Sequence, residues 1–125
     1  MGLLAVAILV ANNLRDIPTD AVAGKRTLAV RLGDRRTRTL YRACVLGAFV
    51  AVALGVLVDV LDEGSGLSPW SLLALAATVA AVGPFRRVGG AEGRDLIPVL
   101  VATARLQVVF GALLALGLWI ADASM

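Results

Sequence analysis

Asn12-Asn13-Leu14-Arg15-Asp16-Ile17-Pro18-Thr19-Asp20, continued by Ala21-Val22-Ala23-Gly24-Lys25-Arg26-Thr27 and by Leu28-Ala29-Val30-Arg31-Leu32-Gly33, is a polar stretch set directly after the apolar run Met1–Ala11. Asp16 and Asp20 are four residues apart, a spacing that puts both carboxylates on one face of a helix. Acids beside a bilayer are costly unless something uses them. Magnesium is the natural user. It is a hard cation held by one or two carboxylates while a substrate phosphate supplies further oxygens. The stretch therefore points to a metal and diphosphate site at a membrane surface.

The rest of the chain agrees with the membrane half of that reading. Of 125 residues, 59% are hydrophobic, against about 45–50% in soluble domains, and the mean hydropathy is +0.88. The apolar content is Ala, Val, Leu and Gly, small residues that let transmembrane helices approach closely. There is no histidine and a single cysteine, Cys44. That excludes an intrachain disulfide and a zinc site of Cys/His type. The net charge of +3 does not imply nucleic acid, because the basic residues flank apolar spans and form no domain of their own. They read as cytoplasmic anchors. Lys25 is the only lysine among twelve basic residues, a sign that a compact ammonium is wanted at that position.

Along the chain, Met1–Ala11 is too short to span a bilayer, which takes about 20 residues, and reads as the second half of a spanning helix. Pro18 predicts a kink or a fresh helix start between the aspartates. Leu28–Gly33 reads as a short amphipathic piece, with Gly33 as its stop and Asp34 as the cap of the next helix. Three spans are predicted: Thr39–Leu61, Pro69–Phe85 and Leu96–Ala121. Asn12–Arg42 holds eight basic residues, the turn Leu61–Pro69 none beside Asp62 and Glu63, the turn Arg86–Asp95 three, and the tail after Trp119 none. These signs alternate as the positive-inside rule requires and place the Asp-bearing segment in the cytoplasm. Trp70 and Trp119 then fall at the outer interface.

The pattern Asn12-Asn13-x-x-Asp16-x-x-x-Asp20-x-x-x-Gly24-Lys25-x-Thr27-Leu28-Ala29-Val30-Arg31-Leu32-Gly33 resembles the second aspartate-rich motif of the UbiA superfamily of intramembrane prenyltransferases. Within it, the stretch is most similar to the branch that prenylates 1,4-dihydroxy-2-naphthoate in menaquinone biosynthesis. Ala102-Thr103-Ala104-Arg105-Leu106-Gln107 and Phe110-Gly111 also look like that branch's last helix. The resemblance implies an all-α integral membrane helical bundle, with residues 1–125 forming the C-terminal part of a nine-helix UbiA-type fold in a bacterial plasma membrane. It implies two cytoplasmic aspartate-rich motifs whose Mg²⁺ ions hold the diphosphate of a polyprenyl donor. Loss of diphosphate leaves an allylic cation, which the electron-rich ring attacks, and in this branch the ring loses carbon dioxide to give demethylmenaquinone. The first motif, Asn-Asp-x-x-Asp-x-x-x-Asp, is absent from this sequence. The chain reads as the final third to half of such an enzyme and is expected to be inactive without the missing N-terminal half.

Residue by residue, Asp16 and Asp20 are the expected metal ligands, since a bridging cation neutralises the charge developing on a diphosphate leaving group. The plainer reading is two solvated acids near a helix N-terminus, favoured by its dipole. Asn12 and Asn13 are candidates for the diphosphate network or for amide capping at a helix end. Arg15 and Lys25 are candidates for diphosphate oxygens or positive-inside anchors. Arg35, Arg36, Arg38 and Arg42 read as anchors. Arg105 lies roughly 13 Å into a span, either as an intramembrane functional charge or as a snorkelling side chain. Two rivals stand beside the leading function: a UbiA-type enzyme with another aromatic acceptor, and a small non-catalytic helical membrane protein. The partners expected are polyprenyl diphosphate, 1,4-dihydroxy-2-naphthoate and membrane lipid, with no nucleic acid.

Overall fold

The computed structural model describes residues 1–62 and 67–123. Glu63, one of the acids in the turn after Leu61, lies outside the described residues, as do Ser124 and Met125 at the end of the tail. Among the described residues five α-helices follow one another: α1 Gly2–Val22, α2 Leu28–Leu32, α3 Asp34–Leu61, α4 Thr78–Arg87 and α5 Ile97–Ala123. Two 3-10 segments, Pro69–Ala77 and Gly93–Leu96, lead into α4 and α5. No strand occurs among the described residues, and the all-α expectation stands.

Helix α1 joins the apolar start and the polar stretch into one element. The break expected at Pro18 does not occur, since Pro18 lies inside the helix. Proline withdraws one N–H, the one that would have reached the carbonyl of Leu14, and the helix forgoes that single bond near its end. Gly33 stops α2 as expected, at φ +77. Its carbonyl accepts from both the N–H of Thr37 at 3.1 Å and the Thr37 hydroxyl at 2.8 Å, so one glycine ends α2 and starts α3. Asp34 is not the cap. It is the first helical residue, and its carboxylate is engaged by Arg38.

Helices α3 and α5, the latter with its 3-10 lead, are long and apolar enough to cross a membrane. The middle segment differs from a plain α-helical span. Its first nine residues, Pro69–Ala77, form a 3-10 helix, and the buried residues there are Ser71, Ala74 and Ala77, every third position. That is the repeat a helix of three residues per turn demands. The tighter winding also lengthens the segment: about 18 Å for the 3-10 part at ~2.0 Å per residue, and about 15 Å more for α4. The sum, about 33 Å, matches a hydrocarbon core of about 30 Å.

Leu4, Ala7 and Leu14 of α1 bury against Tyr41, Val45 and Val52 of α3 and Leu106 and Phe110 of α5. Phe49 and Phe110 meet edge to face with centroids 5.4 Å apart, the arrangement ring quadrupoles prefer. One polar pair sits in this apolar interior. The Thr103 hydroxyl donates to the carbonyl of Val99 at 2.7 Å, so Tyr41, whose hydroxyl lies 2.6 Å from Thr103 Oγ1, is the donor between them. Small residues set the closest approach. A Cβ on Gly117 would stand 2.3 Å from the carbonyl oxygen of Trp70. That contact also puts Trp70 and Trp119, both exposed, at the same end of the bundle, as the interface reading requires.

Candidate metal and diphosphate site

The spacing Asp20-x-x-x-Gly24-Lys25 has a local cause. Gly24 adopts φ +71, the left-handed conformation that ends a helix cheaply only when no Cβ is present. Its N–H donates to the carbonyl of Ala21 at 3.2 Å, and the N–H of Lys25 donates to the carbonyl of Asp20 at 2.9 Å. These two bonds are the Schellman termination. The turn folds Lys25 back over the helix end, and its Nζ comes within 3.3 Å of Asp20 Oδ1. Thr27 then opens α2: its hydroxyl oxygen accepts from the N–H of Val30 at 3.3 Å, an N-cap. Gly24, Lys25 and Thr27 thus end one helix, pin its last acid and begin the next.

Because α1 runs on through Pro18, the acids keep a common face. At about 100° per residue, Asn12, Asp16, Asp20 and Asn13 follow one another around the helix within an arc of about 100°. Asp20 is buried at 9% exposure. Asp16 is a third exposed and is held by its neighbour, with Arg15 Nε 2.8 Å from Oδ1 and Nη2 3.1 Å from Oδ2. The hydrogen bonds from Arg15 push the Asp16 carboxyl below the usual carboxylate range, against a smaller opposing effect of burial. The same pairing raises the guanidinium of Arg15.

The electrostatic setting differs from the plainer sequence reading. The acids stand at the C-terminal end of α1, not near an N-terminus, and the last turn holds no basic residue. A helix C-terminus carries partial negative charge and disfavours carboxylates. Asp16 and Asp20 therefore sit where their own helix opposes them and where cations are called for. Arg15 and Lys25 supply one each.

Asn12 and Asn13 are half-buried in the middle of α1, so neither caps a helix end. Arg105 is exposed on the outer face of α5 among Val101, Ala104, Val108 and Val109, and the structure does not bring it to the aspartates. Among the described residues no group of three or more His, Cys, Asp or Glu gathers to hold a metal. The site offers two carboxylates and two amides.

Sequence reasoning misses what Arg38 and Arg42 do. Arg38 grips both carboxylate oxygens of Asp34 at 2.7 Å and donates to the carbonyls of Val88 and, at 2.9 Å, Ala91. It ties the start of α3 to the loop after α4, where carbonyls left unpaired by the helix end accept a cation. Arg42 lies over the ring of Phe85, 5.5 Å from its centroid, a cation–π contact. The spacing Asp34-x-x-x-Arg38 is the available signal for the first. Nothing local in the sequence announces the second.

The chain matches the UbiA prenyltransferase family over residues 1–94. The 1,4-dihydroxy-2-naphthoate octaprenyltransferase of Mycobacterium tuberculosis is 49% identical over 117 residues, which cover 91% of this chain and 36% of that protein. The protein of the same name from Escherichia coli is 38% identical over 113 residues, 90% of this chain and 33% of its own length. That from Bacillus subtilis is 34% identical over 123 residues, with coverages of 96% and 37%. The chain thus spans about a third of the length of the curated relatives it matches. No solved structure matches it.

Proposed function

The chain belongs to the UbiA prenyltransferase family, and from that premise we propose that it carries the second metal and diphosphate motif of a menaquinone-pathway polyprenyltransferase. The reaction is transfer of a polyprenyl group from its diphosphate to 1,4-dihydroxy-2-naphthoate with loss of carbon dioxide, giving demethylmenaquinone. Its setting is the bacterial plasma membrane, with the Asp-bearing end of the bundle cytoplasmic. Catalysis is a property of this chain together with the other helices of a full-length enzyme, which supply the motif Asn-Asp-x-x-Asp-x-x-x-Asp that this sequence lacks.

The observation that carries this reading is the arrangement of Asp16 and Asp20 on one face of an unbroken helix, at its negative end, with Lys25 folded back onto Asp20. The donor set fits Mg²⁺, which favours carboxylate oxygens and leaves remaining positions to water and substrate phosphate. Asp16 and Asp20 would hold the ion, with Asn12 and Asn13 beside them on the same arc. When bound, the ion neutralises charge on the departing diphosphate.

The chain's own residues then have distinct tasks. Arg15 keeps Asp16 ionised and oriented by gripping both of its oxygens. Lys25 places an ammonium at the mouth of the site, two-thirds exposed and free to reach an anion as well as Asp20. In the reaction the allylic carbon–oxygen bond breaks and both its electrons leave with the diphosphate. The ring then supplies the pair that forms the new carbon–carbon bond.

The test is complementation in cells that lack the naphthoate polyprenyltransferase. The chain is expressed alone, then together with the N-terminal two-thirds of the Mycobacterium tuberculosis relative, and then as that pair carrying Asp16→Asn and Asp20→Asn. Demethylmenaquinone is expected only from the unaltered pair. Activity from the chain alone would remove the need for the other motif. Activity in the Asn variants would remove the metal site, and no activity in any combination would favour a non-catalytic membrane protein.

A further inference from the structure

Helices α1 and α5 pack against each other antiparallel, as two juxtapositions show. The Met1 Cε stands 2.7 Å from where a Cβ on Gly111 would lie. Eleven residues further along α1 and eleven back along α5, Asn12 and Leu100 line the same shallow groove. The antiparallel pairing sets the 3-10 turn that precedes α5 toward the C-terminal half of α1, the half that carries Asp16 and Asp20. The 3-10 turn Gly93–Leu96 does pack against α1. Leu96 anchors it, buried at 1% exposure in the same core as Leu14. Arg94 is on that turn, exposed and without an ion pair among the described residues. Its neighbours Glu92 and Asp95 are exposed too, and neither forms an ion pair with it.

We propose that Arg94 is a diphosphate-binding residue, reaching from the α4–α5 connection to the anion held at Asp16 and Asp20. The role rests on the reading of that site given above. The argument is one of supply. Arg15 and Lys25 each stand against one of the two aspartates, so together they offset no more than the charge of those two acids. A diphosphate brings several further negative charges. Arg94 is an exposed guanidinium without an ion pair among the described residues, on a turn that packs against α1, and its planar fork suits phosphate oxygens two at a time. Asp16 and Asp20 lie on the helix against which the turn packs, with Arg15 and Lys25 beside them; Glu92 and Asp95 flank Arg94 in sequence and are exposed.

The experiment is calorimetric titration of inorganic pyrophosphate, with and without Mg²⁺, into the chain paired with the N-terminal two-thirds of the Mycobacterium tuberculosis relative in lipid nanodiscs, every variant being made in that pair. Arg94→Gln is expected to weaken Mg²⁺-dependent binding by about tenfold or more, the worth of a hydrogen bond to a charged group. Arg94→Lys should recover part of that loss, and Arg87→Gln, also exposed, should bind as the unaltered chain does. Thermal stability should be the same in all three, which separates ligand contact from a structural role. If the unaltered pair shows no Mg²⁺-dependent binding, or Asp16→Asn binds as well as it does, the site reading falls and Arg94 with it. If Asp16→Asn loses binding while Arg94→Gln retains it, the role of Arg94 alone is overturned.

Discussion

Lys25 meets Asp20 through both backbone and side chain: its N–H donates to the Asp20 carbonyl at 2.9 Å and its ammonium stands 3.3 Å from the Asp20 carboxylate. The double contact is made by one turn, and that turn depends on Gly24 at φ +71. Gly24→Ala is expected to cost about 1–2 kcal/mol, the penalty of a Cβ in the left-handed region, and Gly24→Asn less. Thermal unfolding in detergent should rank Gly above Asn above Ala. An alanine variant as stable as the unaltered chain would contradict the termination described.

The Arg15–Asp16 pair predicts a pH dependence of defined sign. Asp16 titrates below its ordinary value because Arg15 hydrogen-bonds the ionised form. Its contribution to stability is therefore present above the ordinary carboxylate range and is lost as pH falls through the lowered folded value. The stability difference between the unaltered chain and Arg15→Gln, measured in Mg²⁺-free buffer, should be constant from neutral pH to about pH 5 and vanish in stronger acid. It should also be small and shrink with salt, because both side chains are a third exposed and the pair is screened. A difference that grows on acidification would contradict the pairing.

The buried Tyr41–Thr103 bond predicts an asymmetry between single and double replacement. Thr103→Val leaves the Tyr41 hydroxyl without its acceptor in an apolar interior and should cost about 1–3 kcal/mol. Adding Tyr41→Phe removes the stranded donor and should restore much of that loss. Comparison of unfolding midpoints for the three variants decides it, and additive losses would show that the hydroxyl finds another partner.

Two glycines in helical segments should respond in opposite ways. A Cβ on Gly117 meets the Trp70 carbonyl oxygen at 2.3 Å, and backbone cannot turn aside as a side chain can. Gly117→Ala must push the Pro69–Ala77 segment away from α5, at a cost of about 1–3 kcal/mol. Gly83 has nothing within 4 Å of the same position. Gly83→Ala should be neutral, or gain up to about 1 kcal/mol from helix propensity. Equal effects at the two sites would show that α5 and the 3-10 segment are not in close contact.

Much of the site is legible in the sequence because its grammar is local. A four-residue spacing fixes a shared helix face, and glycine at a helix end fixes a stop; both hold without knowledge of the rest of the fold. The exceptions have a common cause. The intrinsic cost of Pro18 predicts a break, but its neighbours on both sides keep helical bonds and the core stripe Leu4, Ala7, Leu14 continues into the polar half. Tertiary packing overrides one lost bond. The dipole setting of Asp16 and Asp20 escapes the sequence for the same reason: with a break at Pro18, Asp20 would open a helix instead of closing one. Arg38 and Arg42 read as interface anchors because their partners, Val88, Ala91 and Phe85, lie more than forty residues away in the sequence. The 3-10 winding of Pro69–Ala77 is likewise hidden, since Ala and Leu carry no signal for it and the period of three shows only once burial is known.

That winding fixes a rotational phase. Nine residues at about 120° each turn the chain half a revolution further than they would at the α-helical 100°. Rewound as an α-helix, the stretch would shorten by about 4.5 Å and present the opposite side of α4 to its neighbours. Ala81 and Pro84, now buried, would turn outward, and Val79 and Val82, now exposed, would turn in. Phe85 would swing out from beneath Arg42, and the carbonyl of Val88 would leave Arg38. The far end of the bundle thus sets what the two arginines can grip on α4 and the loop after it, some eight to fourteen residues beyond Ala77 along the chain.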